Sequence, residues 1–125
     1  MAPPKHILMN AFFDQLFAFV KELKAMYPDD PDFPLFETTL RLLKSTTPGF
    51  VIKHFYDTSK GFEEQILSKN EDFFMDHSFS ELGDELDFDI LGKLKQYVKS
   101  MSSNSKEAVW GYVQNLFKLV KAYHS

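Results

Sequence analysis

The chain has 125 residues, a net charge of −4 at pH 7, 44% hydrophobic residues and no cysteine. This length is typical of one domain with one hydrophobic core. The lack of cysteine excludes disulfides, thiolate metal sites and cysteine nucleophiles. Apolar runs such as 16–20 are too short to span a membrane, and residues 1–8 lack the long apolar region of a secretory signal. We therefore expect a single cytoplasmic domain over residues 1–125 that does not bind membranes.

The first two predicted helices are separated by a proline-rich turn. Asn10 is a candidate N-cap for a helix whose apolar side chains recur every three or four residues. Pro28 ends this helix. Asp30 or Asp32 can cap a second helix that runs to about residue 45. The predicted core face of the second helix is Phe33, Phe36, Leu40 and Leu43.

A third helix is predicted to begin at Thr47 and Pro48. A hydroxyl side chain can cap a helix, and proline is favoured at its first position. The apolar pattern of this helix continues to Ile66. Gly61 lies inside the pattern and costs about 1 kcal/mol relative to alanine, so the helix can kink or break there.

The stretch between Asn70 and Gly92, which we call the acidic-aromatic segment, has an unusual composition. It contains eight carboxylates, four phenylalanines and no lysine or arginine. Acidic residues alone favour a solvated, disordered stretch, whereas phenylalanine side chains favour burial. We therefore expect the segment to dock, either on its own domain or on another molecule. Its irregular part, residues 70–87, forms the connection to the fourth helix.

Two further helices complete the predicted fold. Asp87 precedes an apolar stripe that ends near residues 102–104. Asn104 and Glu107 have the spacing of a capping box and open the last helix. No strand competes, because strict alternation with flanking hairpin turns occurs nowhere. The sequence predicts an all-α, single-domain bundle of about five amphipathic helices, with residues 1–9 as a flexible N-terminus.

Charge is distributed unevenly along the chain. Residues 1–69 sum to −1, residues 70–92 to −8 and residues 93–125 to +5. One interpretation is that the acidic segment folds back on the basic last helices, with screened charge pairs that each contribute little. The other is that one or both regions face a partner, whose complementary charge steers the encounter. The sequence leaves both interpretations open.

Metal and catalytic sites find little support in the sequence. The four histidines lie far apart, and none has the spacing of a zinc site. An EF-hand loop counted from Asp87 fails because Leu91 and Val98 occupy ligand positions. No glycine-rich phosphate loop is present. We therefore assign no catalytic residue, no metal ligand and no cofactor, and expect a protein without enzymatic activity.

Two other binding functions remain alternatives. The basic C-terminal helices offer lysines and the rings of Tyr97, Trp110 and Tyr112 to a nucleic acid, but the acidic net charge argues against this partner. The many phenylalanines can line a pocket for a small lipophilic ligand, and the clustered carboxylates can bind a divalent cation weakly. Neither function has a sequence motif of its own.

The phenylalanines include candidate contact residues, although most are expected to fill the core. Phe19 lies off the apolar stripe of the first helix, so an exposed Phe19 would mark an interface with a protein partner or a second copy. In the acidic-aromatic segment, phenylalanine burial would supply affinity while the acids set orientation and association rate. The predicted partner-binding residues of that segment are Phe73, Phe74, Asp76, Phe79, Glu81, Asp84 and Glu85.

The order of these motifs resembles that of small uncharacterised helical proteins encoded by large DNA viruses of algae and protists. The resemblance lies in the succession FFDQLFAFVKELKAMYPDDPDF, TTPGFVIKHFYDTSKGFEEQIL, NEDFFMD, KLKQYV and VWGYVQNLFKLVKAY, which covers nearly the whole chain. Such proteins have no assigned activity, so no functional residue carries over. The resemblance implies only the context, a virus-encoded protein in the cytoplasm of an infected host cell or in a virion. From the residues themselves we expect an interaction or structural protein.

Overall fold

The computed structural model describes residues 4–76 and 96–124, apart from the side chains of Thr58 and residues 74–76. A 3-10 turn, Lys60–Phe62, interrupts the helices of the first range. No strand occurs in either range, which confirms the predicted all-α fold. The helices are α1 (Lys5–Met26), α2 (Asp32–Thr46), α3 (Pro48–Ser59), α4 (Glu63–Leu67), α5 (Glu71–Asp76) and α6 (Ser103–Tyr123).

Helix α1 begins six residues before the predicted start. Pro4 occupies the N-cap position, and Asn10 is an exposed residue within the helix, so its prediction as the cap is wrong. Residues 5–9, which the sequence assigned to a flexible N-terminus, form the first turns of the helix. Leu8 is only 6% exposed, and its burial favours the longer helix more than the lost cap disfavours it. The predicted end before Pro28 is confirmed, because α1 stops at Met26.

The turn between α1 and α2 is held by an aspartate side chain. A carboxylate oxygen of Asp30 accepts a hydrogen bond of 2.9 Å from the backbone N–H of Asp32. Pro31 occupies the N-cap position of α2 and Asp32 is the first residue of the helix, so the prediction that Asp30 or Asp32 is the cap is wrong. The Asp30 hydrogen bond stabilises the turn that leads into the helix. Asp32, in the first turn of α2, also interacts favourably with the positive end of the helix dipole.

The third predicted helix begins as expected and then breaks. Thr47 is the N-cap residue and Pro48 the first residue of α3, although the Thr47 side chain makes no capping hydrogen bond. The 3-10 turn that contains Gly61 separates α3 from α4, in agreement with the predicted kink or break. Just before it, the Ser59 hydroxyl donates to the Phe55 carbonyl at 2.7 Å. Such back-bonding commonly accompanies a bend in a helix.

Helix α1 is the central helix of the bundle and packs on α2, α3 and α6. It runs antiparallel to α6, because Lys5 at the start of α1 lies over the ring of Tyr123 at the end of α6. Each fully buried large apolar side chain contributes about 1.5–3 kcal/mol before entropic costs. The most completely buried side chains come from all four helices: Phe12, Phe13, Val20, Leu23, Phe33, Leu40, Ile52, Leu116, Phe117 and Val120.

Helix α6 is capped by Ser102 and not by Asn104, so the predicted capping box is wrong. The Ser102 hydroxyl accepts a hydrogen bond of 3.2 Å from the backbone N–H of Ser105. Residues 96–98 are also helical, and turn residues 99–100 follow. The predicted fourth helix therefore ends at Val98, earlier than residues 102–104, and its predicted start at Asp87 lies outside the described residues.

The position of this cap gives a first testable prediction. Ser102→Ala should lower the free energy of unfolding by about 1 kcal/mol, because it leaves an N–H group at the start of α6 without its acceptor. Asn104→Ala is the matched control and should change stability by less than about 0.5 kcal/mol. Denaturant unfolding followed by circular dichroism measures both. A larger loss for the Asn104 variant than for the Ser102 variant would contradict the observed cap.

Candidate functional site

The acidic-aromatic segment begins with Asn70, whose side chain caps the short helix α5. The Asn70 side-chain carbonyl accepts a hydrogen bond of 2.9 Å from the backbone N–H of Phe73. Glu71 and Asp72 occupy the first turn of α5. Negative charge at the start of a helix is favoured by the helix dipole. Local sequence therefore determines this structure, because an asparagine cap is followed at once by two acids.

Contacts with the 3-10 turn Lys60–Phe62 and with α6 attach this beginning of the segment to the bundle. The Glu71 carboxylate lies 2.9 Å from the Lys106 ammonium near the start of α6. The rings of Phe73 and Phe62 lie 5.3 Å apart between centroids. A second ion pair, between Lys69 and Glu107 at 2.6 Å, joins the residues just before α5 to α6. The first residues of the segment therefore dock on their own chain.

The Glu71–Lys106 ion pair and the Phe73–Phe62 ring contact attach α5 to the bundle, but these side chains remain partly exposed. Phe73 is half-buried, and about a third of each side chain in the Glu71–Lys106 pair is exposed. An exposed ion pair of this kind contributes about 0–1 kcal/mol. The intramolecular interpretation of the segment thus holds for Glu71 and Phe73, and it involves one lysine of the basic C-terminal region.

Phe19 is not exposed, so its prediction as an interface residue is wrong. Its side chain is 3% exposed, and its ring stacks on Tyr112 of α6 with the centroids 5.0 Å apart. Phe19 is buried because α1 is the central helix and packs against three other helices. Apolar side chains over a wide arc of α1 are therefore buried, including those that lie off its main apolar stripe. The closely spaced phenylalanines of α1 were the sequence signal for this wide arc.

The other predicted contact residues fall into two groups. Phe74 and Asp76 belong to α5, but their side chains lie outside the described residues. The remaining four lie wholly outside the described ranges, and their role stays a prediction: Phe79, Glu81, Asp84 and Glu85.

Charged groups from the basic C-terminal region are shared between two acidic partners. Lys106 pairs with Glu71, as described above, and Lys121 of α6 pairs with Glu63 of α4. Glu63 precedes the acidic-aromatic segment in the chain. The lysines of the basic C-terminal region therefore do not all pair with the acidic-aromatic segment.

Two tyrosines that the sequence offered to a nucleic acid stack within the protein. Tyr97 stacks on Tyr27 with ring centroids 3.7 Å apart, and its hydroxyl donates a hydrogen bond to the Asp30 carboxylate. Tyr112 stacks on Phe19, and burial followed by the nearby Glu22 carboxylate raises the pKa of its hydroxyl. Burial also raises the pKa of Tyr27. These rings contribute to packing between elements of the chain.

An open depression of about 550 Å³ lies at the turn between α1 and α2. Its lining combines the stacked rings of Tyr27 and Tyr97 with the acids Asp29, Asp30 and Asp32. The hydrogen bonds of Asp30 described above hold the turn and the residue at position 97 together. We interpret these acids as structural, as the sequence did when it assigned them to a turn and a helix cap.

Helix α2 exposes two leucines that were not predicted to form a surface. Leu35 is 58% exposed and Leu42 is 62% exposed, whereas Phe33, Phe36 and Leu40 of the same helix are buried. The two leucines are seven residues apart, which places them on one face, opposite the core. Helical spacing in the sequence contained this signal. Other large apolar side chains with high exposure are Ile7, Phe50 and Leu67.

Comparison with known proteins finds no match among protein-family models, curated proteins or solved structures. In residues 4–76 and 96–124, no helix has the length and apolarity needed to cross a membrane. Across the same described part of the chain, no three His, Asp or Glu side chains form a group suited to a metal ion.

Proposed function

We propose that the protein is a non-enzymatic interaction protein that binds a protein partner through its acidic-aromatic segment. The observation that supports the proposal most is the attachment of α5, which joins the start of the segment to the bundle through Glu71 and Phe73. A binding segment that is attached at its base loses less conformational freedom when it meets a partner.

The charges of the C-terminal half support a partner, because the acidic-aromatic segment has more negative charge than the basic C-terminal region can neutralise. The −8 of residues 70–92 exceeds the +5 of residues 93–125, so that a net −3 remains even if all these charges pair. Lys121 pairs with Glu63, outside the segment, which reduces the positive charge available to it further. The partner surface that fits is therefore basic, with apolar pockets for phenylalanine side chains.

The same proposal assigns different roles to the two residue types of the segment. The acids accelerate and orient the encounter, and phenylalanine burial slows dissociation. We also propose, from the sequence resemblance alone, that the protein acts in the cytoplasm of a virus-infected cell or in a virion.

Partner capture from the native source tests the proposal. The immobilised full chain is compared with a variant that carries Glu81→Gln, Asp84→Asn and Glu85→Gln. The wild-type chain should retain one or more proteins that the variant retains at least about tenfold less, because three desolvated or steering charges contribute more than about 1.4 kcal/mol together. Quantitative mass spectrometry of the bound fraction measures the difference.

A matched control changes the net charge equally without touching the segment. Asp14→Asn, Asp29→Asn and Glu64→Gln remove three carboxylates from exposed residues of α1, the following turn and α4. This control should retain the same proteins as the wild-type chain. Equal retention by the segment variant, or equal loss by both variants, would overturn the proposal.

A further inference from the structure

The outward face of α2 carries two exposed leucines and no charged residue. Leu35 and Leu42 are more than half exposed there. The residues around them carry hydroxyl groups rather than charges, whereas surface helices usually place charged residues opposite the core. The uncharged set, which we call the outer face of α2, is Leu35, Thr38, Thr39, Leu42, Ser45 and Thr46.

Most charged side chains of α2 contact α1 or each other and do not lie on the outer face. Glu37 pairs with Lys24 of α1 at 3.2 Å and with Arg41 at 3.3 Å. The Lys44 ammonium lies 5.9 Å from the ring centroids of Phe13 and Phe17 of α1. Three of the four charged residues of α2 are therefore turned towards the neighbouring helix or towards each other, and away from the outer face.

Three of the four hydroxyl groups of the outer face also donate to the backbone of α2. The Thr38 hydroxyl donates to the Pro34 carbonyl at 3.1 Å. The Ser45 and Thr46 hydroxyls both donate to the Leu42 carbonyl, at 3.0 and 2.8 Å. Because these donors are satisfied within the helix, another helix can cover them without leaving a hydroxyl proton unpaired.

We propose that the outer face of α2 is a self-association surface that packs antiparallel against the same face of a second copy of this chain. Leu35 and Leu42 lie symmetrically about the Thr38–Thr39 bond, so a two-fold axis at this bond places each leucine against the other leucine of the second copy. Opposed helix dipoles favour the antiparallel direction. The surface does not include the acidic-aromatic segment, and the proposal does not depend on the segment's function.

Charge also favours the second copy in this direction. Asp32 and Arg41 are nine residues apart, which places them on opposite flanks of α2. An antiparallel pair separates the two Asp32 residues by about 20 Å along the helix axis, since each residue adds 1.5 Å. A parallel pair would place like residues side by side. The face that meets therefore carries no charge, and charges on its flanks are not brought into register.

The area available sets the strength of the association. A stable interface buries about 800 Å² on each partner, and one 15-residue helix face offers less than this. We therefore expect a weak dimer. In light scattering, the mass should rise from 14.6 kDa towards twice that value between about 10 µM and about 1 mM protein.

Charge insertion tests which surface mediates the association. Leu35→Glu with Leu42→Glu should raise the dissociation constant at least about tenfold, while the unfolding midpoint stays close to that of the wild-type chain because both side chains are exposed. Leu67→Glu, at a leucine that is 45% exposed on α4, is the matched control and should leave association unchanged. A wild-type chain that stays monomeric at about 1 mM, or a double variant that still dimerises, would overturn the proposal.

Single cysteines test the direction, since the chain has none of its own. Thr38→Cys should form a disulfide-linked dimer on mild oxidation, because the two-fold axis brings both copies of this residue together. Thr46→Cys should not, because about 22 Å along the helix axis separates the two copies of that residue. Equal cross-linking at both positions would overturn the antiparallel arrangement.

Discussion

Replacement of Phe12 by alanine is expected to lower the free energy of unfolding by about 3–5 kcal/mol. The Phe12 ring is fully buried in the central helix and meets the edges of Phe13 and Phe55, at centroid distances of 5.3 and 5.5 Å. Its removal takes apolar surface out of the core and leaves a cavity between α1 and α3. Small domains have about 5–15 kcal/mol of stability in total, so this loss is a large share. Urea unfolding followed by circular dichroism measures it.

Phe50→Ala is the matched control for this prediction. Phe50 has the same side chain but lies 46% exposed in the first turn of α3, stacked on His54. Its replacement should cost less than about 1 kcal/mol. Similar losses for the two variants would show that Phe12 does not lie in the core described here.

Phe19→Ala is expected to have the next largest effect, a loss of about 3 kcal/mol in the free energy of unfolding. Its ring is almost completely buried and forms the stacked contact between α1 and α6. The variant should also expose Tyr112, whose raised pKa depends first on burial, and should lower that pKa towards the ordinary value. Unfolding and a spectrophotometric titration of tyrosine measure the two effects.

The more conservative variant Phe19→Leu separates a core role from a contact role. It keeps most of the apolar volume and should lose less than about 1.5 kcal/mol. If Phe19 were an interface residue, as the sequence suggested, Phe19→Ala would instead keep the wild-type stability and lose partner capture or self-association. That outcome would contradict the burial of this ring.

The sequence predicted the presence of the helices and the breaks between them better than it predicted the residues that cap them. The proline at position 28, the Thr47–Pro48 start and the break near Gly61 all appear in the structure, because proline and glycine act through the local backbone. Asn10 and Asn104 were wrongly chosen as caps. Burial of Leu8 extends α1, and Ser102 supplies a competing acceptor for α6, so the outcome depended on contacts and alternatives beyond the local pattern.

The candidate surfaces differ in how far the sequence reveals them. Leu35 and Leu42 are separated by two helical turns, so their shared face can be read directly from the spacing. The inward contacts of Lys44 and Glu37 cannot, because they depend on the packing of α2 against α1. The burial of Phe19 likewise depends on knowing that α1 is the central helix. Composition alone identified the acidic-aromatic segment, and the structure adds the attachment of its first residues through α5.

The salt dependence of partner capture by the immobilised full chain tests most directly whether the acidic-aromatic segment binds the partner. Retention at about 0.05 M salt should fall several-fold at about 0.5 M salt for the wild-type chain, because screening weakens exposed charge interactions. The variant with Glu81→Gln, Asp84→Asn and Glu85→Gln should show weak retention at both concentrations. Strong retention by this variant with an unchanged salt dependence would contradict a role for the segment in binding.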